Sequence, residues 1–381
     1  MLAVSFSIRR EEKRAGRREN ELTLTVGIIA NPFSARDVRR VIADASSVQI
    51  ADRANAVLRV LAGLFACGVT QAVMMPDRSG LLQHVLRGLS RARNQGLQRY
   101  PDVTPLDMPL WGTVEDTRAA ATLMRAGGVG AIIALGGDGT HRAVVSACGS
   151  TPIAAISTGT NNAFAEQSEH TVVGLAVGVA VTGRVPADLA FRANKRLDAA
   201  IGGTTHIALV DIALVSDRHV GAKALWRTET FRELYVTFAD PTLIGMSAIA
   251  GLLEPVSRQE PFGLQVMFAK EGAGARPRAI LRAPIAPGLI APIRLADWRR
   301  IAPGEAIVPR LEAGSLAFDG EREITFSRKE KVSITLRDGA FRSVDVAACM
   351  RAAATHGLLR EEIMNEDAVG GPLLSAAFAA Q

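Results

Sequence analysis

The chain has 381 residues, of which 48% are hydrophobic and 22% are charged, and its formal net charge is +6. These values are typical of a globular protein with room for two domains. The positive charge is scattered, without a basic run interleaved with aromatic residues, so we expect no nucleic-acid partner. The three cysteines lie far apart, which argues against a disulfide framework and indicates a reducing cytoplasm.

The N-terminal segment, residues 1–20, is charged and has no apolar run of signal-peptide form. We expect it to be a disordered extension outside the fold. The longest interior apolar run, Thr171 to Val181, is interrupted by Gly174 and Gly178 and is too short to span a bilayer. We therefore expect a cytoplasmic protein without a membrane span, and we also expect a homo-oligomer.

The first half of the chain predicts alternating strands and helices. Leu22 to Ala30 is apolar and β-branched and predicts a strand, which ends at the polar loop Asn31-Pro32-Phe33-Ser34, with Ser34 as a helix cap. Thr113 predicts the capping-box start of a helix, with the Asp116 carboxylate reaching back to it. The further expected elements are a helix over 52–67, a strand over 71–75, a helix over 81–89, a weak strand over 103–110 and the end of the Thr113 helix at about Ala126.

The stretch from Ala131 to Phe164 contains the same pattern twice. An apolar run, Ala131 to Leu135, leads into a glycine-rich loop, and a second apolar run, Ile153 to Ile156, leads into a Ser/Thr/Asn loop. This pattern predicts two parallel strands joined by a helix, with both loops at the carboxyl edge of one sheet. Open α/β sheets bind ligands at that edge.

The second half, from about Pro186, predicts antiparallel β structure. Short alternating segments are separated by turns, and Asp319-Gly320 reads as a tight hairpin. We expect a helical insertion around Gly221 to Phe238. The segments expected to be strands are 207–215, 263–269, 279–282, 323–326 and 331–336.

The glycine-rich loop has the chemistry of a phosphate site. Consecutive glycines leave backbone N–H groups free to converge on an anion, and a helix that starts near Thr140 adds its positive dipole end. Asp138 would repel a phosphate unless a cation or a hydroxyl proton lies between them. Mg²⁺ on the phosphate and an aspartate that orients the attacking hydroxyl describe phosphoryl transfer. We therefore predict that Asp138 is catalytic.

Structural explanations exist for each loop. Gly-Gly-Asp-Gly can be a tight turn, the Asn161-Asn162 pair can be a helix cap, and Asp319-Gly320 can be only a hairpin. His141 is expected to face solvent or to pack, without a catalytic role. The functional reading depends on the coincidence of polar loops after several strands of one sheet, and the chain has neither a P-loop nor a G-x-G-x-x-G after a strand.

The loop Gly136 to Thr140, followed by Thr158 to Asn162, resembles the superfamily of ATP–NAD kinases, diacylglycerol kinases and sphingosine kinases. Asn31-Pro32-x-Ser34 and Asp319-Gly320-Glu321 are similar to two further loops of that superfamily. Thr140-His141-Arg142 together with the second loop is most similar to the ATP–NAD kinase-like branch associated with acetoin catabolism. Two positions depart from the pattern, since Ala35 and Ala163 replace residues that are glycine or aspartate in the superfamily.

The resemblance implies an α/β fold: an N-terminal Rossmann-like α/β domain and a β-rich antiparallel second domain, with nucleotide in the cleft between them. We expect domains at 21–165 and 166–345, followed by a helical or disordered tail at 346–381. Asp138 matches the catalytic aspartate of the superfamily. The residues implied to bind ATP and substrate are Asn31, Gly136, Gly137, Gly139, Thr140, Thr158, Gly159, Thr160, Asn161, Asn162, Asp319 and Glu321.

The sequence thus predicts a kinase that transfers the ATP γ-phosphoryl group to a hydroxyl, with ATP and Mg²⁺ as cofactors. The metal ligands are not identified, and the expected partner is a small molecule, with NAD as the first candidate for acceptor. One alternative is a lipid or another small alcohol as acceptor. The other is a nucleotide-sensing protein without turnover, against which the presence of Asp138 argues.

Overall fold

The computed structural model describes residues 24–31, 50–96, 100–158, 162–216, 228–269, 276–286, 288–320 and 322–360. Within these residues, the chain forms two sheets with helices packed on them. The proposed cap Ser34 and the residues Leu22 and Thr23 lie outside the described ranges.

The first five strands form the parallel part of the first sheet. They are β1 (Thr25–Ala30), β2 (Gln71–Met74), β3 (Asp102–Pro105), β4 (Ile132–Gly136) and β5 (Ile153–Ser157). Their order across the sheet is β3-β2-β1-β4-β5, and every neighbouring pair is parallel. The order reverses between β1 and β4, which is the switch point where doubly wound sheets bind ligands. The predicted parallel pairing of β4 with β5 is confirmed.

Helices cover both faces of this parallel part. They are α1 (Ile50–Ala66), α2 (Leu81–Gln95), α3 (Val114–Ala126), α4 (Asp138–Cys148) and α5 (His170–Val181). Strand β1 shows why two layers form: Val26 and Ile28 pack into the core with α1, α2 and α5, whereas Ile29 packs on the opposite face with α3 and α4. Side chains alternate along a strand, so an entirely apolar strand requires cover on both faces.

Helices α1 and α5 cross in close contact. A Cβ on Gly63 would lie 2.5 Å from the carbonyl oxygen of Thr171, and one on Gly174 would lie 2.2 Å from that of Val60. The apolar run that contains Gly174 is thus a packed helix in the core of the first sheet. Among the described residues, no helix combines the length and apolar character required to cross a bilayer.

Strands from the second half of the chain extend the first sheet. Beyond β5, the sheet continues with β16, β6 and β7, and β13 pairs with β16. Strand β16 joins the parallel part through Ser343, which pairs with Ile153 of β5, and runs antiparallel to β6. The bounds are β6 (Phe191–Ile201), β7 (Thr204–Ala208), β13 (Ala306–Ile307) and β16 (Val332–Val344).

The second sheet is antiparallel throughout, with the order β11-β12-β10-β9-β8-β14-β15. Its strands are β8 (Asp211–Val215), β9 (Phe231–Val236), β10 (Gly263–Phe268), β11 (Ala279–Ala286), β12 (Leu289–Ile301), β14 (Gly314–Phe318) and β15 (Arg322–Phe326). Leu214, Tyr235 and Leu316 from this sheet pack against Leu197 and Ile334 from the extension of the first sheet. The two sheets therefore share one core. The remaining helices are α6 (Ala187–Ala190), α7 (Met246–Gly251) and α8 (Val346–Thr355).

Three sequence predictions of local structure require correction. The segment 207–215, expected as one strand, is divided between β7, which ends at Ala208, and β8, which begins at Asp211. The expected helical insertion over 221–238 is wrong where the structure describes it, because Phe231–Val236 is strand β9, preceded by one short 3-10 turn. The capping box also differs: Thr113 does accept the amide of Glu115, but the Asp116 carboxylate accepts the amides of Trp111 and Gly112 instead of reaching the cap residue. The Asp-Gly hairpin is confirmed, since β14 and β15 pair across it.

Candidate active site

Three polar loops meet at the switch point of the first sheet. Asn31 follows β1, Gly136 ends β4, and Thr158 follows β5. The Asn31 side-chain amide donates to the Thr140 hydroxyl at 2.9 Å, and its backbone amide donates to the carbonyl of Leu135 at 3.0 Å. The structure thus brings together loops that the sequence places after separate strands.

The loop from Gly136 to Thr140 turns directly from β4 into α4. Gly136 packs tightly, because a Cβ there would lie 2.5 to 2.7 Å from the Thr140 side chain. Gly137 is the N-cap, and its carbonyl accepts the amides of Thr140 and His141. The amides of Asp138 and Gly139 come before the first amides that donate within the helix, those of Thr140 and His141, so they can bind an anion at the positive end of the helix.

The Asp138 carboxylate is buried and points toward the loop after β5. It accepts the backbone amides of Ala163 at 2.9 Å and Phe164 at 3.2 Å. Nδ1 of His141, which is fully buried, lies 3.8 Å from the carboxylate, while Nε2 of the same ring lies 3.2 Å from the Ala134 carbonyl. The two loop amides stabilise the carboxylate and hold it apart from the amides at the start of α4. His141 packs, as one of the two sequence readings predicts.

Asn162 connects the second loop to the first. Its side-chain amide donates to the Gly136 carbonyl at 3.2 Å and to the Ser157 hydroxyl at 2.8 Å, and the Thr158 amide donates to the same Gly136 carbonyl at 3.1 Å. These contacts fix the end of β4 against the end of β5. Three other predicted residues of this loop, Gly159, Thr160 and Asn161, lie outside the described residues.

Asp319 holds the hairpin turn against the site from the second half of the chain. One carboxylate oxygen accepts the amides of residues 209, 210 and 211 at 2.9 to 3.3 Å. The other pairs at 3.0 Å with Arg142 of α4, which also donates to the Phe318 carbonyl. Burial raises the pKa of the Asp319 carboxyl, whereas Arg142 acts in the opposite direction. The described contacts of Asp319 therefore hold α4 against the second half of the chain. Glu321 lies outside the described residues.

A cleft of about 690 Å³ opens beside this cluster. Asn162 and Ala163 line it on one side, and Phe238, Asp240, Arg258 and Glu260 from the second half of the chain line the other. Its volume is in the range of small-molecule sites. The Asp138 carboxylate is therefore hydrogen-bonded to the amide of a residue that lines the cleft, Ala163.

The described residues contain no cluster of three or more His, Cys, Asp or Glu side chains that could hold a metal ion. Mg²⁺ rarely occupies an all-protein cage. It commonly uses one or two carboxylates together with substrate phosphates and water. One buried carboxylate, Asp138, stands beside the amides at the start of α4, and such a set fits an ion bound mainly by substrate phosphates and water.

Two arginines at this site receive no role from the sequence. Arg142 lies four residues after Asp138, and that helical spacing could have placed it on the same face of α4. Arg258 donates to the carbonyls of Ala163 and Phe164, although it lies far along the chain. No local pattern indicates this contact.

Two parts of the chain match known protein families. Residues 26–180 match the model of the ATP-NAD kinase N-terminal domain, and residues 195–339 match that of the acetoin catabolism protein X C-terminal domain. The chain is 52% identical over 346 residues to acetoin catabolism protein X of Cupriavidus necator, which covers 89% of this chain and 95% of that protein.

Two structures of a proposed diacylglycerol kinase from Bacillus anthracis str. Sterne align over 84% of this chain and 97% of theirs, at 13% identity, with TM-scores of 0.47 and 0.46.

Proposed function

This chain belongs to the family of acetoin catabolism protein X, and on that premise we propose that it transfers the γ-phosphoryl group of Mg-ATP to a hydroxyl of a small molecule. The observation that supports the proposal most strongly is the position of Asp138. This buried carboxylate lies at the start of α4, next to amides that suit a phosphate, and it accepts the amide of Ala163, which lines the cleft.

Backbone amides form the part of the site that binds ATP, the phosphoryl donor. The amides of Asp138 and Gly139 bind phosphate oxygens at the N-terminus of α4, and the Asn31–Thr140 hydrogen bond fixes the first turn of that helix. Mg²⁺ bound together with the nucleotide would neutralise the phosphate oxygens. Gly136 and Gly137 let the chain turn from β4 into α4 immediately before the amides that bind the phosphates. Thr158 and Asn162 hold the neighbouring loop in place.

Asp138 acts on the acceptor hydroxyl. The acceptor oxygen forms a bond to the γ-phosphorus, the bond from that phosphorus to the β–γ bridging oxygen breaks, and ADP leaves. The hydroxyl proton moves to the Asp138 carboxylate. Because the transition state of phosphoryl transfer is loose, the carboxylate contributes by positioning the hydroxyl at least as much as by removing its proton.

The cleft between Ala163 and Phe238 is the proposed acceptor site. Its volume suits a small molecule, and we propose NAD as the first acceptor to test, phosphorylated on the adenosine 2′-hydroxyl. The match of residues 26–180 to the ATP-NAD kinase N-terminal domain supports this choice.

An acceptor panel tests the proposed function. The purified full chain is given Mg-ATP with NAD, NADH, diacylglycerol or a sphingoid base, and both ADP release and the phosphorylated product are followed. We expect ADP release with NAD and formation of NADP. ADP release with a lipid alone would remove the NAD assignment. ATP binding without turnover on any acceptor would instead favour a nucleotide-sensing protein.

A further inference from the structure

Arg258 and Asp138 are joined through a single peptide group. Nη2 of Arg258 donates to the Ala163 carbonyl at 3.0 Å, and the Phe164 amide, which belongs to the same peptide group, donates to the Asp138 carboxylate at 3.2 Å. The C=O and N–H of a trans peptide point in opposite directions. The guanidinium and the carboxylate therefore lie at opposite ends of one peptide dipole.

Two further hydrogen bonds hold the same segment from both sides. Nη2 of Arg258 also donates to the Phe164 carbonyl at 2.7 Å, and the Ala163 amide donates to Asp138 at 2.9 Å. A carbonyl bound by a cation polarises its own peptide, so the N–H of that peptide becomes a better donor. This polarisation reaches the Phe164 amide, whose peptide carbonyl is that of Ala163. The bonds of the Phe164 carbonyl and of the Ala163 amide lie on other peptide groups, and they fix the position of the segment between Arg258 and Asp138.

The guanidinium is itself fixed in place. It lies 4.1 Å from the ring centroid of Phe238 and 5.0 Å from that of Phe164. The turn that carries Arg258 is anchored by Lys195, whose ammonium donates to the carbonyls of Ser257, Glu260 and Phe262 at 2.6 to 3.1 Å. Burial lowers the pKa of Arg258 to about 10, so the side chain remains a cation at neutral pH.

We propose that Arg258 is a positioning residue for Asp138, acting from the far side of the cleft through the peptide group that joins Ala163 and Phe164. The proposal rests on the proposed function of Asp138. Arg258 comes from the second half of the chain and lines the cleft with Ala163. The orientation of the Asp138 carboxylate therefore depends on the contact between the two halves of the chain.

The first test is kinetic. Arg258→Met removes the donor to both carbonyls and retains an apolar stem over the rings. We expect kcat to fall about 10- to 100-fold, as for other small misplacements of reacting groups, with KM for ATP nearly unchanged. Arg258→Lys, which keeps the charge, should retain an intermediate kcat, and ethylguanidinium should partly restore Arg258→Ala.

The matched control is Arg278→Met. Arg278 also lies over an aromatic ring, 4.4 Å from the centroid of Trp298, and pairs with Asp297, but it is exposed. The kcat of Arg278→Met should equal that of the wild type. If Arg258→Met has the kcat of the wild type, the proposal is wrong. If it loses kcat only in proportion to the fraction of unfolded protein, measured by thermal melting, Arg258 is merely structural and the proposal is equally overturned.

The second test does not need turnover. Amide hydrogen exchange of Ala163 and Phe164 is measured in wild type, Arg258→Met and Asp138→Asn. We expect both variants to lose protection at these two amides, whereas Arg278→Met should not. If the wild type phosphorylates no acceptor but exchange follows this pattern, the proposed function fails while the connection between Arg258 and Asp138 stands. Unchanged protection in Arg258→Met overturns the connection whether or not the enzyme turns over.

Discussion

At the scale of the residue, the central question is how a carboxylate fits in the loop that we propose binds phosphate. Asp138 is the first residue of α4, and its backbone amide is one of the two that we propose bind the phosphate. Its side chain turns instead to the amides of Ala163 and Phe164. Because these contacts use backbone amides, alanine can stand at position 163, where the superfamily has aspartate or glycine. The carboxylate thus has its own donors and does not compete for those of the phosphate.

Gly136→Ala tests the tight turn before the helix. The added methyl group would lie 2.5 Å from the Thr140 Cβ, so the Thr140 side chain must move and its hydrogen bond with Asn31 must break. Overpacking of this kind costs about 1–3 kcal/mol, and we expect ATP affinity, measured by calorimetry, to fall about 10-fold. Thr140→Val keeps the volume but loses the hydroxyl, so it should weaken binding less. Wild-type affinity in Gly136→Ala would show that the first turn of α4 does not bind the nucleotide.

At the scale of the element, the crossing of α1 and α5 depends on glycine. Gly174→Ala would place a methyl group 2.2 Å from the carbonyl oxygen of Val60, which belongs to a helix backbone and cannot rotate away. We expect the free energy of unfolding, measured in urea, to fall by about 1–3 kcal/mol.

Gly88→Ala in α2 is the matched control for this helix crossing. There the new methyl group would meet the end of the Leu58 side chain at 2.6 Å, which can change rotamer, and alanine is the better helix former. We expect little loss or a small gain in stability. Equal effects at the two positions would contradict the view that backbone contact at Gly174 sets the helix crossing.

The elements also show where sequence patterns succeed and fail. Helix α1 and strands β1, β4 and β5 were predictable because their apolar residues follow helical spacing or form short apolar runs. Strands β6 and β9 were not. In β9, Glu233 is buried and accepts from Gln265 and from the Arg310 amide, while β6 buries Asn194 and Lys195. Tertiary hydrogen bonds satisfy these polar groups, so the strands lack the apolar alternation that a sequence pattern requires.

At the scale of the whole molecule, Lys195 links the first sheet to the turn that carries Arg258. Burial lowers the pKa of Lys195 from 10.5 to about 8, opposed by Asp338 and Glu260. Below pH 8 both the folded and the unfolded chain bind this proton, so it causes no pH dependence. Between about pH 8 and 10.5 only the unfolded chain keeps it, so the free energy of unfolding gains a component that rises with pH.

Lys195→Met isolates that component. At pH 7 we expect the variant to be less stable by about 1–3 kcal/mol, because three partly buried carbonyls lose their donor. From pH 8 to pH 10, urea unfolding should show the gap between wild type and variant widening by up to about 3 kcal/mol. Subtracting the variant cancels the contributions of other titrating groups. A gap independent of pH would show that Lys195 stays charged in the folded protein throughout.

The site as a whole was only partly predictable. The loops after β1, β4 and β5 carry recognisable residues, and parallel strands deliver them to one edge, so Asn31, Asp138 and Asn162 could be placed together from the sequence. Arg258 could not, because its contact with Ala163 and Phe164 arises only when the antiparallel half folds against the parallel half. The acceptor cleft depends on the same contact.

The most direct test of the central claim compares Asp138→Asn with the wild type and with Asp102→Asn, an exposed aspartate that pairs only with Arg93 among the described residues. Turnover is measured with the acceptor found in the panel, and Mg-ATP binding is measured by calorimetry on the same preparations. For Asp138→Asn we expect turnover to fall by about 10²- to 10⁴-fold while ATP affinity and the fold remain close to those of the wild type. Asp102→Asn should match the wild type in both. Near-normal turnover in Asp138→Asn would contradict the proposed mechanism.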